Sequence, residues 1–374
     1  MGYRNKKTNT SKNNMTDKFL IDSHKMQYHT GRTSQWLHSE DKAQVFPIYV
    51  EVSPVGACNH RCTFCAVDYI GYKNIRLDKE ALKNCIMSMS ECGVKSIMFA
   101  GEGEPTLYKD LPEVINHAKA LEIDIALTTN GTGLTEKFIT SCLHNISWIK
   151  VSFNAGTKET YSQIHQTEKK DFDLVWNNIQ RAVKFKNEQK LNTTIGIQSV
   201  LLPENAREMI DLALLAKSSN VDYLVIKPYS QHLSSITTKY KDINYNDYLW
   251  LRDSLDGIKS GTFEIVFRDE SMSSHDSGSR KYKKCYSTPY LWAYLMASGD
   301  LYGCSAYLLD DKFNYGNINQ NSFKEIWLGE KRRESIRFVE HELDISNCRL
   351  NCRMDKVNQY LWDIKHPGPH ANFI

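Results

Sequence analysis

The chain has 374 residues, 41% of them hydrophobic, with 47 Lys and Arg against 44 Asp and Glu. That supplies one large core or two modest ones, and a net charge of +3 is too small to argue for nucleic acid or an anionic membrane as partner. No apolar run reaches the length of a membrane span and the opening MGYRNKKTNTSKNN has no apolar signal core, so the ten cysteines point to a reducing compartment and metal ligation; a soluble cytoplasmic protein is expected.

Residues 1–17 are rich in Asn, Lys, Thr and Ser and are expected to be a disordered head. The segment 18–45 carries enough aromatic side chains to dock on something but is short for a separate peptide-binding domain. An alternating apolar run at 48–52 reads as a strand, and Cys58, Cys62 and Cys65 follow it at spacing CxxxCxxC. Three thiolates from one short loop are soft ligands suited to zinc or to an iron–sulfur cluster. Three also leave one position of a four-coordinate site open, which is how metal sites do chemistry; a structural zinc loop with its fourth ligand elsewhere is the competing reading.

Strand and helix patterns then alternate. Leu82, Cys85, Ile86 and Met89 mark one helix face, Ile115, Ala118 and Leu121 a second, and Phe138, Ile139, Cys142 and Leu143 a third. Phe172, Val175, Trp176, Ile179 and Val183 form a strong stripe, followed by Met209, Leu212, Ala213 and Ala216. Strands are expected at 96–100, 123–128, 148–153, 195–201 and 223–226. Six strands alternating with helices on short connections argue a parallel sheet with helices outside, curled by right-handed crossovers into an open barrel over 46–230.

In such folds the C-terminal strand ends carry the site. Gly101, Glu102, Gly103 and Glu104 close the second strand, where the glycines allow close backbone approach to a ligand and a carboxylate can accept from an ammonium group. Asn130 ends the third strand, and Ser152 and Asn154 the fourth; Val200 lies on the fifth. A polar bridging stretch, 231–262, precedes a tail domain over 263–374 that opens on a strand at 263–267. Cys285, Cys304, Cys348 and Cys352 in this tail complete a four-ligand site without outside help, with structural zinc again the competing reading. Residues 295–302 read as two strands about a Gly-Asp turn that delivers Cys304 beside Cys285.

The first triplet, with Phe64 before its third cysteine, resembles the signature of the radical S-adenosylmethionine (SAM) superfamily. The resemblance implies a partial (β/α)6 TIM-like barrel in which Cys58, Cys62 and Cys65 hold a [4Fe–4S] cluster whose fourth iron binds SAM. One electron, from a donor such as flavodoxin or ferredoxin, then cleaves SAM to a 5′-deoxyadenosyl radical. Gly101–Glu104 resemble the family's GGEP element around the methionyl amine, with Glu102 in place of its first Gly. Asn130, Ser152 and Asn154 are then implied at the ribose and carboxylate, and Val200 at the adenine. The tail resembles the twitch domain, the reduced form of the SPASM domain, and its four cysteines imply one fully ligated auxiliary [4Fe–4S] cluster.

A fully ligated cluster accepts an electron more readily than it binds substrate. Cys85, Cys92 and Cys142 look packed into outer helices, which leaves no evident thiol hydrogen donor. The expected reaction is therefore oxidation of a hydroxyl-bearing carbon of a sugar, aminocyclitol or similar metabolite, with Lys227, Tyr229, His232 and Arg268 as candidate bases. The rivals are a radical epimerase, a peptide maturase and a non-enzymatic iron–sulfur or zinc protein; no nucleic acid or membrane partner is expected.

Overall fold

Apolar and polar residues alternate along the barrel strands, so each strand turns one face to the helices and the other to the barrel interior. The computed structural model describes residues 19–21 and 23–373, and the head at 1–17 lies outside the described residues. Six parallel strands stand in sequence order: β1 (Tyr49–Val52), β2 (Ser96–Phe99), β3 (Asp124–Thr129), β4 (Trp148–Ser152), β5 (Thr194–Leu201) and β6 (Tyr223–Pro228). Their outward residues, among them Val50, Val52, Ile97, Phe99, Ile149, Val151 and Ile197, are fully buried.

The helices that cover them are those the periodicity marked. After α1 (Thr30–His38), α2 (Lys79–Glu91) buries Leu82, Cys85, Ile86 and Met89 and starts on an Asp78 cap that accepts from the Ala81 N–H at 2.9 Å. Next come α3 (Leu111–Ala120), α4 (Glu136–Cys142) and α5 (Lys158–His165). The stripe of α6 (Lys170–Glu188) and that of α7 (Met209–Ser218) are buried as expected. No helix among the described residues is long and apolar enough to cross a membrane.

The sheet extends beyond six strands at both edges. A short helix, α8 (Leu251–Asp256), lies in the bridging stretch, and the strand expected at 263–267 is β7 (Glu264–Phe267), which pairs in parallel with β6. It is thus a seventh barrel strand rather than the start of the tail, and α9 (Asp269–Ser277) follows it. The expected hairpin forms from β8 (Trp292–Leu295) and β9 (Asp300–Tyr302), which pair antiparallel, with β10 (Asn314–Asn317) beyond. Gly299 in its turn has φ +90°, and a Cβ there would sit 2.5 Å from Asn319 Nδ2, so glycine is required. β8 also pairs in parallel with β1, which makes the tail continuous with the barrel sheet. α10 (Phe323–Leu328), α11 (Glu330–His341) and α12 (Asp355–Lys365) complete it.

The segment before the barrel docks on this seam. Trp36 of α1 is buried with Val45, Ile48, Tyr290, Leu291 and Leu361, and the Phe19 ring meets Tyr223 at the start of β6.

Candidate functional site

Cys58, Cys62 and Cys65 are half-buried free thiols on the loop leaving β1. Burial pushes Cys58 up to about 11 and raises Cys62 and Cys65 as well, so only a cationic centre among them would make all three thiolates. Among the described residues, the His, Cys and carboxylate groups that converge within 4.8 Å are His60, Cys62 and His165, not the three cysteines. The three sulfurs thus do not all lie within that distance of one another. His165 has a different task. Its Nε2 lies 3.3 Å from the Asn154 backbone N–H, which can only donate, so the neutral ring carries its proton on Nδ1 and donates to Cys62 Sγ at 3.3 Å.

The strand ends close on this loop. A Cβ at Gly103 would lie 2.2 Å from the Val55 carbonyl oxygen, and one at Gly101 (φ +120°) 2.3 Å from Ser53 Cβ, so these glycines admit the chain's own backbone. Glu104 Oε1 accepts from the Thr106 N–H and hydroxyl and the Thr129 hydroxyl, and Oε2 accepts from the Asn130 N–H, which leaves Oε2 room for a further donor. Its carboxylate ties β2 to β3. Asn130 Nδ2 donates to Asn59 on the cysteine loop at 2.7 Å, and Asn154 Oδ1 accepts from the Val200 N–H at 2.6 Å. Phe64 packs edge-on to His165, and Ser152 stays half-buried at the end of β4.

Glu102 turns to the tail instead. Its Oε1 accepts from the Ala297 N–H at 2.8 Å, while its buried Oε2 has no partner among the described residues. Burial pushes its carboxyl up to about 7. The unfolded chain releases this proton near 4.5 and the folded one near 7, so stability falls between those values and stays lower above them. Glu102→Gln keeps the acceptor without the charge. It is expected to stabilise the protein by roughly 1–3 kcal/mol at pH 8 and by little near pH 4.5, read from urea midpoints at the two pH values.

The four tail thiols are also free and line one small cavity. Each sulfur has a polar neighbour: Ala306 N–H to Cys304 at 3.4 Å, Met354 N–H to Cys352 at 3.4 Å, Tyr307 hydroxyl with Cys348 at 3.1 Å, and Asn358 Nδ2 to Cys285 at 3.6 Å. Hydrogen bonds to sulfur are among the levers that set a cluster's potential. The bridging stretch connects the two cysteine sites: Ser235 Oγ donates to the Cys65 carbonyl, and His232 Nε2 lies 3.1 Å from the Ser305 carbonyl beside Cys304.

A cavity of about 1050 Å³ opens inside the barrel, lined by Tyr49, Ser96 and Trp148 at strand beginnings, by Lys150, Gln198 and Lys227 further along their strands, and by Ser305 and Cys352 of the tail. Of the candidate bases, Lys227 and Arg268 face it. Burial, then Lys150, Arg268, Arg349 and Arg353, hold the Lys227 amine well below its ordinary value. Tyr229 is buried off the cavity with its hydroxyl on Gln231. His232 uses both ring nitrogens, accepting from the Ser234 N–H and donating to Ser305, while its ring stacks on Tyr69; it is a strut between the sites. Lys150, Glu51, Arg349 and Arg353 escape a reading by motif. For Glu51 and Lys150 the signal is a charge inside a parallel strand, as in Tyr-Val-Glu-Val and Trp-Ile-Lys-Val-Ser, which marks a strand face that is not packed core; Arg349 and Arg353, on the loop around Cys352, carry no such signal.

Comparison with known proteins fits this geometry. A model of the radical SAM superfamily matches residues 52–216, and a model of the SPASM iron–sulfur cluster-binding domain matches residues 285–353. The chain belongs to the radical SAM superfamily.

A probable GTP 3′,8-cyclase of Thermococcus kodakarensis is 30% identical over 215 residues, 52% of this chain and 67% of that protein. An S-adenosylmethionine-dependent nucleotide dehydratase of Lacinutrix mariniflava is 34% identical over 113 residues, 29% of this chain and only 23% of the relative. Streptococcus suis SuiB bound to S-adenosylmethionine superposes with a TM-score of 0.64 at 17% identity, covering 92% of this chain and 81% of SuiB, a likeness of fold. A radical SAM enzyme with a SPASM domain takes a [4Fe–4S] cluster, SAM and auxiliary iron–sulfur. The three free thiols of the first loop and the four around one tail cavity are donor sets that such clusters take.

Proposed function

We propose that this radical SAM enzyme oxidises a hydroxyl-bearing carbon of a small polyhydroxylated metabolite to a ketone inside the barrel cavity. The observation that carries the reading is the cavity wall itself: among the described residues its one thiol is Cys352, which belongs to the four-cysteine set of the tail. Cys85 and Cys142 are buried under the barrel's outer face and Cys92 lies at the end of α2, so no thiol among the described residues stands ready to return a hydrogen atom to the substrate carbon. That arrangement favours loss of a second electron over epimerisation.

Cys58, Cys62 and Cys65 would hold the SAM-binding cluster, and Cys285, Cys304, Cys348 and Cys352 the auxiliary one. Bound there, the cofactors supply one electron in, removal of a hydrogen atom as 5′-deoxyadenosine, and one electron back out, so substrate loses two electrons, SAM gains two and external reductant is needed only catalytically. The chain's own part is to take the hydroxyl proton. Lys227 is placed for this: it lies on the cavity wall in register with Val200, and its burial and the neighbouring cations favour the neutral amine, the form able to accept a proton.

Lys227→Met is expected to lower ketone formation by about a hundredfold or more while deoxyadenosine still forms, and Lys227→Arg, a cation that cannot act as base, to fail equally. In the wild type, ketone formation should be lost as pH falls through the depressed Lys227 pKa, because the protonated amine no longer accepts. The decisive assay is anaerobic incubation with SAM, reductant and candidate polyols. Epimerised product carrying solvent hydrogen, or a stoichiometric demand for reductant, would sink the reading.

A further inference from the structure

Nine Lys and Arg side chains line the cavity, among them Lys150 on β4, Lys227 on β6, Arg268 after β7, and Arg349 and Arg353 on the loop that carries Cys352. One carboxylate of the inner strand face, Glu51, lies among them and is ion-paired to Arg353, whose guanidinium also donates to the Tyr49 hydroxyl at 2.7 Å. The acids toward the outer end are engaged elsewhere: Asp269 with Arg252, Glu270 with Lys356, and Asp355 with the Tyr282 hydroxyl. Arg349 is held by Ser230. Lys150 Nζ has neither a hydrogen bond nor an ion pair among the described residues; its neighbour is the Trp148 ring, 5.4 Å away.

Like charges crowded into a confined space are stable only if they shed protons or gather a counter-ion. Burial, with Arg353 next, pushes the Lys150 amine down to about 8, so it stands at the edge of losing its proton. We propose that the cavity is built for a phosphate ester, with the phosphate held by Lys150, Arg268 and Arg353 and the remainder of the substrate directed toward Lys227. This rests on the cavity being the substrate site. Three cations arriving from two strands and the tail loop suit a tetrahedral oxyanion with acceptors on every side, whereas a carboxylate is satisfied by a single arginine fork. An aminocyclitol bearing an ammonium group would enter against these charges, so that branch of the expected substrate class is disfavoured by electrostatics.

Nucleotides and sugar phosphates share the group, and the test separates them. Calorimetry on the cluster-loaded, SAM-bound enzyme uses glucose, glucose 6-phosphate, uridine and uridine 5′-monophosphate as probes, with inorganic phosphate as competitor. The expected result is saturable binding of one phosphorylated probe and not its neutral parent, displaced by phosphate. Binding should take up a proton near pH 8, because the anion restores the Lys150 ammonium, and should weaken about tenfold or more between pH 7 and pH 9. Lys150→Gln should weaken it about tenfold or more and Lys150→Arg restore most of it. If Lys150→Gln does not fold, the wild-type proton uptake and pH dependence carry the test.

Equal binding of phosphorylated and neutral probes, absence of proton uptake, or affinity unchanged in folded Lys150→Gln overturns the proposal. The reaction is scored separately. Phosphate-dependent binding without any oxidised product removes the dehydrogenation reading and leaves this one, whereas oxidation of a neutral polyol untouched by Lys150→Gln removes this one and leaves the other.

Discussion

Cys62→Ala is expected to stop deoxyadenosine formation, lowering it by more than about a thousandfold, and to halve the iron held by the anaerobically loaded chain, from about eight atoms to about four. Cys62 stands between Cys58 and Cys65 in sequence and its sulfur lies 3.3 Å from His165 Nδ1, so its loss removes both a thiol and that hydrogen bond. Cys304→Ala provides the contrast. It should also remove about four irons, yet leave SAM cleavage in place and abolish the ketone, because Cys304 belongs to the other thiol set. Iron analysis, the paramagnetic signal with and without SAM, and product chromatography read these outcomes together. Zinc in place of iron at the first site, or deoxyadenosine unchanged in Cys62→Ala, would refute the assignment.

Helical period and core contact are the same fact seen twice, which is why the stripes Leu82–Met89 and Phe172–Val183 are legible in the sequence and buried in the fold. The cysteine sets are legible because ligand spacing survives any detail of packing. Two things are hidden. The bridging stretch has no hydrophobic period, since it is mostly turns with one six-residue helix, so β7 reads as part of the tail although it hydrogen-bonds to β6. The cavity's charges are scattered over β1, β4, β6 and the tail, and only the closing of the sheet brings Glu51, Lys150, Lys227 and Arg353 together. Likewise the carboxylate of Glu104 reads as an acceptor for ammonium in sequence, and the structure adds that it also braces Thr106, Thr129 and Asn130. Motif reading finds residues and leaves open whether their hydrogen bonds are already taken.

The pairing of β8 with β1 makes a further demand, which centres on Arg332. Its side chain on α11 is fully buried without a hydrogen-bonded carboxylate, lies over the Trp327 ring at 3.9 Å, and donates to four carbonyls: Ala43 at 2.9 Å, Val45 at 3.1 Å, Trp327 at 2.8 Å and Pro289 at 3.2 Å. Ala43 and Val45 lead into β1, Pro289 leads into β8, and Trp327 sits on α10, so one guanidinium fastens the entrances of both neighbouring strands to the tail helices. Arg332→Met keeps the apolar stem over Trp327 but removes the guanidinium from all four acceptors, of which Val45 retains the Trp327 Nε1–H at 2.8 Å. The expected loss is about 3–5 kcal/mol, less than the sum over four acceptors because the site relaxes. Arg332→Lys should not rescue it, since one ammonium cannot reproduce a planar fork aimed at four oxygens. Because the tail shares a sheet with the barrel, urea unfolding of the loaded protein should remain one transition, moved as a whole to lower denaturant in the variant. Two separate transitions, with only one displaced by Arg332→Met, would mean that the β1–β8 seam does not couple barrel and tail.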